Sequence, residues 1–140
     1  MRLTKLKTHG WRNLAPAVLE CDAPLIVIHG ENGQGKSNLL EAVHVMGTLK
    51  SFREPRARRW VSHGESGARI DATVQSTLGQ RQLAWRWSDG QRQLHMDDKA
   101  IGELGTWFEV LRAVVFCPED SRIVRGEPEQ RRRFMDRAAF

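Results

Sequence analysis

The sequence predicts an α/β fold in which a mixed sheet surrounds one helix and an antiparallel β-meander follows. Three observations carry this reading. The apolar, β-branched run Leu25-Ile26-Val27-Ile28 leads through a glycine-rich turn, Gly30 to Gly35, into a helix whose apolar positions fall at Leu39, Leu40, Val43 and Met46. Strict alternation recurs at Ala68, Ile70, Ala72 and Val74, then at Leu83, Trp85 and Trp87, then at Leu94 and Met96, with Gly79 and Asp89-Gly90 between the runs. Finally, 140 residues with 40% hydrophobic and 28% charged side chains fit one globular unit.

The elements follow in order. Residues 2–9 read as a first strand and 15–21 as a second, with Ala17, Leu19 and Cys21 facing inward. Pro24 opens the run 25–29, which is expected to be a strand covered on both faces. The helix runs from Lys36 to about Lys50, and Gly47, at a cost of about 1 kcal/mol relative to Ala, is expected to mark its fraying end. Residues 51–67 read as a loop with one short helical turn. After the meander come a short helix at 102–110 and a buried strand at Val114-Val115-Phe116-Cys117, which Pro118 stops. Pro128 starts a last helix to Phe140; its apolar positions Phe134, Met135, Ala138 and Ala139 continue with no capping glycine, so the chain is expected to be part of a longer protein.

Composition narrows the function. The net charge of +5 and a pI near 9.9 are unevenly spread: residues 51–70 and 121–140 carry +3 each, whereas 71–120 carry −3. The clusters are Arg53, Arg56, Arg58 and Arg59, and the arginines of the final twenty residues. They fit a polyanion partner, but charge runs alone are more simply read as a solvated loop and a solvated helix. The mean hydropathy of −0.51 and the brevity of every apolar run exclude a membrane-spanning helix. Two cysteines, Cys21 and Cys117, exclude a disulfide scaffold and a four-thiolate zinc site. With no secretory leader recognisable, a reduced, cytoplasmic protein is expected.

The most specific signal is Gly30-Glu31-Asn32-Gly33-Gln34-Gly35-Lys36-Ser37, a full G-x-x-x-x-G-K-[ST] phosphate loop between a strand-like run and a helix. Gly30, Gly33 and Gly35 allow the backbone to curl so that successive N–H groups face phosphate oxygens. The helix start adds partial positive charge and amide donors. Lys36 is expected on the β- and γ-phosphates, and the Ser37 hydroxyl on Mg²⁺. The absence of a guanine-specific Asn-Lys-x-Asp sequence favours ATP.

Around the loop lie His9-Gly10-Trp11-Arg12-Asn13-Leu14, the extension Asn38-Leu39-Leu40-Glu41-Ala42-Val43, Ser51-Phe52-Arg53, Val114 to Asp120, Ile123 to Gly126, Pro128, and Arg131-Arg132-Arg133-Phe134-Met135-Asp136. In this order they resemble the amino-terminal part of the RecF family of bacterial DNA replication and recombination-repair proteins, whose heads are related to SMC and ABC ATPases. The resemblance spans the whole chain. It implies that residues 1–140 are the amino-terminal part of an ATP-binding head of the P-loop NTPase class, an ABC/SMC-type head lobe. It places Arg12, Asn13 and Asn38 with the loop at the nucleotide, though Trp11 stands where Phe is usual, and brings Arg53 near phosphates or DNA. For Glu119 three readings stay open: an equivalent of the lobe-joining Q-loop, a Walker B carboxylate, or a structural turn.

The implied function is ATP-dependent binding of single-stranded, gapped and duplex DNA in replication, recombinational repair and the SOS response. Implied partners are DNA at single-strand/duplex junctions, a homodimer of ATPase heads and other recombination mediators, with no membrane. The signature and Walker B motifs of such heads are expected beyond residue 140, which makes the chain alone a weak or inactive ATPase. Competing readings are a P-loop protein of another class, such as an ABC transporter subunit or a small-molecule kinase, and a basic scaffold that leaves the loop idle.

Overall fold

A computed structural model describes residues 1–77, 79–120, 123 and 126–139, without the side chains of Glu119, Gln130, Arg133 and 137–139. Strands β1 (Arg2–His9), β2 (Ala17–Glu20), β3 (Gly67–Ser76), β4 (Gly79–Ser88), β5 (Gln91–Met96) and β6 (Lys99–Ala100) form a six-stranded sheet in the order β2-β1-β3-β4-β5-β6. All its pairings are antiparallel. Helix α1 (Lys36–Thr48) and helix α2 (Leu104–Val110) join the buried face of the sheet, and α3 (Pro128–Ala139) follows. Short 3-10 turns occupy Ala57–Trp60 and Pro118–Asp120.

The alternation read from the sequence sets the register. Leu6 faces Ala72, Ile70 faces Trp85, and Trp85 faces Leu94, so their side chains share one face of the sheet. That face packs with Ala42, Val45, Met46 and Leu49 of the α1 region and Trp107 and Val110 of α2 in one apolar cluster. Trp11, Trp60 and Trp85 meet inside it with ring centroids 5.5–5.7 Å apart. Such aromatic pairs add about 0.5–1.5 kcal/mol each beyond their buried area. The Trp107 indole N–H donates to the Met46 carbonyl at 2.7 Å and ties α2 to α1.

The turn chemistry also holds. Asp89 and Gly90 both have positive φ (51° and 75°), the geometry that a two-residue hairpin requires. A second such turn at Asp97 and Asp98 (φ 49° and 65°) returns the chain into β6. Two acidic residues in succession gave no hairpin signal without a glycine, so β6 was not legible.

The α/β class and the meander stand, but three details differ from the sequence reading. Among the described residues the sheet is wholly antiparallel rather than mixed, and neither 25–29 nor Val114–Cys117 forms a paired strand. Leu25, Val27, Val114 and Phe116 are 78%, 75%, 99% and 83% exposed. An apolar β-branched run states what a strand would bury, but a strand also needs a hydrogen-bonded neighbour. On α1 the expected face holds at Met46, Leu39 and Val43, which lie in or against the core, but Leu40 is exposed and the buried side extends over Glu41, Ala42, Val45 and Gly47. Gly47 is therefore no fraying end.

A Cβ at Gly47 would collide with the Cβ and backbone N of Ala113, so glycine there allows residues 111–113 to lie against α1. Gly47→Ala is expected to lower stability by about 1–3 kcal/mol through overpacking, despite the roughly 1 kcal/mol gain in helix propensity. Urea unfolding of the two proteins measures the difference.

Candidate functional site

The glycine-rich loop sits where β2 and the following segment hand the chain to α1. Gly30, Gly33 and Gly35 have φ of 143°, 87° and 92°. Gly35 is the residue that caps α1, in the left-handed region and with no side-chain cap, and the first turn of α1 has no acidic residue. A Cβ at Gly35 would strike the Leu14 side chain, so the loop rests directly on the Arg12–Leu14 segment. Lys36 Nζ donates to the carbonyls of Gly30 and Glu31, both at 2.7 Å, and so ties the end of the loop back to its beginning. Gln34 Oε1 accepts the N–H of Glu31 at 3.2 Å. Glu31, Asn32, Gly33, Gln34 and Ser37 are exposed.

This arrangement suits a phosphate anion. Side-chain-uncapped amides at a helix start, a lysine ammonium and a hydroxyl lie within eight consecutive residues. Among the described residues no three His, Cys, Asp or Glu side chains gather as a metal centre. A Mg²⁺ at this place fits Ser37 Oγ together with phosphate oxygens, the mixed ligand set this ion accepts.

A hydrogen-bonded network braces the loop. Asn13 Nδ2 donates to the Gly33 carbonyl at 2.9 Å, Asn38 Nδ2 donates to Asn13 Oδ1 at 2.6 Å, and Arg53 Nη1 donates to Asn38 Oδ1 at 2.7 Å. The Trp11 indole N–H donates to the Asn38 carbonyl at 2.9 Å. Three residues that the sequence placed at the site, Asn13, Asn38 and Arg53, thus stand together beside Gly33. Arg12 is engaged differently. Its Nε and Nη2 grip both oxygens of Glu41 at 2.9 and 2.6 Å, and its Nη1 donates to the Arg59 carbonyl at 2.9 Å. These bonds, with Arg12 N to Trp60 O at 2.7 Å, hold Arg12 at a left-handed φ of 53°. Such a backbone costs a non-glycine residue about 1 kcal/mol or more.

Glu41 was missed from the sequence. It has no solvent exposure and also accepts the Ser51 hydroxyl. Its signal was present: Glu41 lies one turn before Val45, on the face of α1 that the core covers, and a carboxylate there demands a cationic partner. Of the basic cluster, Arg56, Arg58 and Arg59 are exposed, and Arg59 pairs with Glu54 at 3.1 Å. The carboxyl of Glu54 is held below its ordinary range, first by the Arg56 N–H and then by Arg59. In the second cluster Arg131 and Arg132 are exposed, with Arg131 donating to the Gly126 carbonyl at 2.9 Å. Arg122, Arg125 and the side chains of Arg133, Arg137 and Glu119 lie outside the described residues. Beside Glu119, Asp120 Oδ2 accepts the Cys117 N–H at 2.7 Å within the 3-10 turn.

Residues 2–102 match the RecF/RecN/SMC N terminal domain. The chain belongs to this family. Over its whole length it is 41% identical to the DNA replication and repair protein RecF of Anaeromyxobacter sp. strain Fw109-5 and 39% identical to that of Myxococcus xanthus. It spans 38% and 37% of those two proteins, little more than a third. A solved structure of the recombination mediator protein RecF-ATP of the RecFOR pathway superposes with a TM-score of 0.83 at 28% identity, over 96% of this chain and 36% of that one. The SMC head domain from Thermotoga maritima shares the fold alone, with a TM-score of 0.59 at 18% identity over 73% of this chain and 39% of that one. Within this RecF/RecN/SMC family the similarity to RecF thus extends past the matched domain to the last residues of the chain.

Arg12→Ala leaves the buried Glu41 carboxylate without its cation. The expected loss is about 3 kcal/mol of stability, the low end for a broken buried pair because Arg12 itself keeps contact with solvent. Replacing both residues by apolar ones of similar size is expected to recover most of it. Urea midpoints of the single and double variants give the comparison.

Proposed function

We propose that this chain is the nucleotide-gripping part of an ATP-binding head, in a protein that binds DNA under ATP control during replication and recombinational repair. The observation that carries the reading is the side-chain-uncapped start of α1, with Lys36 spanning a glycine-rich loop that Asn13 fastens at Gly33. Residues Gly30 to Asn38 hold the triphosphate: backbone amides and Lys36 meet its oxygens, and Ser37 takes Mg²⁺ with them. Arg12 and Asn13, on the β1–β2 connection, stand with the loop at the nucleotide, Asn13 through its bond to the Gly33 carbonyl. Family membership and the identity to RecF supply the wider setting, with DNA, a second head and other recombination mediators as partners. A place in the SOS response and in the cytoplasm belongs to the same proposal. Among the described residues no helix is long and apolar enough to cross a membrane.

The exposed arginines at 53–59 and 131–132 are the DNA side of the proposal. They meet backbone phosphates, which position a duplex or a single strand without reading bases. Hydrolysis in this reading needs groups that the 140 residues do not contain, so the chain alone turns over well below about 1 s⁻¹, the low end for ordinary enzymes.

Two measurements test the proposal. Isothermal calorimetry is expected to detect Mg-ATP binding that Lys36→Ala weakens by at least about a hundredfold, as the loss of a charge-assisted phosphate contact implies. Absence of heat with the folded wild-type chain overturns the nucleotide reading. DNA retention on filters is expected to rise with Mg-ATP and to fall with salt by about one log–log unit per phosphate neutralised. Retention that ignores ATP, or that Lys36→Ala leaves unchanged, favours the scaffold reading instead.

A further inference from the structure

Among the described residues Glu41 is the one fully buried charged side chain, and neither phosphate binding nor the apolar core explains it. Buried ion pairs are a poor source of stability, because well-packed apolar residues do as well or better. The contacts of Glu41 suggest another use. From one side it takes the fork of Arg12, on the β1–β2 connection. From the other it takes the hydroxyl of Ser51, beyond the end of α1. Ser51 Oγ in turn accepts the backbone N–H groups of Arg53 and Glu54, both at 2.9 Å, and so shapes the start of the basic loop. Arg53 then reaches Asn38.

One buried charge, four residues along α1 from Ser37, therefore holds Arg12 directly and, through Ser51, the backbone from which Arg53 reaches Asn38. Arg12, Asn13, Asn38 and Arg53 line a common open cleft of about 480 Å³. The guanidinium of Arg12 has five donors, of which Glu41 and the Arg59 carbonyl engage three. Two more remain to be directed elsewhere.

We infer that Glu41 is a positioning residue for polyphosphate binding, holding Arg12 directly and Arg53 through Ser51 so that both guanidinium groups meet the phosphate chain carried by the loop. The inference rests on the nucleotide reading of residues 30–38. Neither cation needs to search for its place when the anion arrives, because a carboxylate in the interior has already ordered both. The Ser51 arm is the more easily tested, since it lies at a half-buried site and leaves the ion pair intact.

The experiment is a calorimetric titration of the full chain with Mg-ATP, with melting temperatures recorded alongside. Ser51→Ala is expected to weaken binding about 5–10-fold with little change in melting temperature, and Ser51→Thr to restore it. Adding Arg53→Ala to Ser51→Ala is expected to cost no more than Arg53→Ala alone, because Ser51 acts through Arg53. Glu41→Gln, which keeps the shape and loses the charge, is expected to weaken binding about tenfold or more. Wild-type affinity in Ser51→Ala, or losses of Ser51→Ala and Arg53→Ala that simply add, overturns the inference while the nucleotide reading stands. If Glu41→Gln does not fold, the Ser51 series decides alone. A folded wild-type chain that takes up no Mg-ATP removes the nucleotide reading and this inference together.

Discussion

The structure depends on how Trp11 joins a sheet to the start of a helix. Its ring is fully buried, edge-on to Trp60 and Trp85, while its N–H reaches the carbonyl of Asn38 in the first turn of α1. A helix that begins at a glycine with no side-chain cap has a weak start, since its first amides lack intrahelical partners. Elsewhere such an end is stabilised by a serine or aspartate, worth about 1 kcal/mol. Here a cap of that kind would occupy the donors that an anion needs. The aromatic cluster holds the helix start from behind instead, and the mouth stays accessible.

Burying Glu41 follows from the same arrangement. Desolvating a carboxylate and a guanidinium costs several kcal/mol each, and a bidentate contact returns that only with good geometry and further hydrogen bonds. Both conditions hold: the fork on Glu41 is two-pronged, Ser51 satisfies the same carboxylate, and the Arg59 carbonyl takes another Arg12 donor. The network also ties together three stretches far apart in sequence, near residues 12, 41 and 51–59. No apolar contact among them would specify one rotamer of a long cationic side chain so narrowly.

Much of this was legible in the chain itself. The phosphate loop, the helix after it and the three long strands of the meander are all local patterns, and local patterns survive without knowledge of what packs where. Burial was the weaker part. Leu25–Ile28 and Val114–Phe116 read as strands because their side chains prefer that conformation, but pairing belongs to the neighbour as much as to the run itself. The face of α1 was read too narrowly: Leu40 was counted in, while Ala42 and Gly47 were passed over, and the small size of Gly47 is what lets Ala113 approach. Glu41 was overlooked for a related reason: a charged residue on a helix is taken as solvated until a partner distant in sequence is known. Arg12 was read as a residue beside the nucleotide, and the group that holds it in the structure was not visible, since pairing across 29 positions leaves no periodic trace.

The posture of Lys36 bears on how such a loop keeps its shape. Its ammonium is compact and strongly hydrated, and an isolated lysine pointing into solvent gains nothing by stiffening. Two carbonyls at 2.7 Å, from Gly30 and Glu31, turn it into a brace across the turn. An ammonium carries three donors, so under the proposed nucleotide binding a phosphate oxygen joins these carbonyls without displacing both. The lysine then changes partners in part rather than moving from water into the site, and the ordering entropy of a long side chain, about 1.5–2 kcal/mol, has already been met in the folded chain. Asn13 acts likewise at Gly33, tying its carbonyl so that the neighbouring peptide units keep the curl. The segment therefore owes its shape less to its glycine content than to these side-chain ties, which hold a permissive backbone in one of its many conformations.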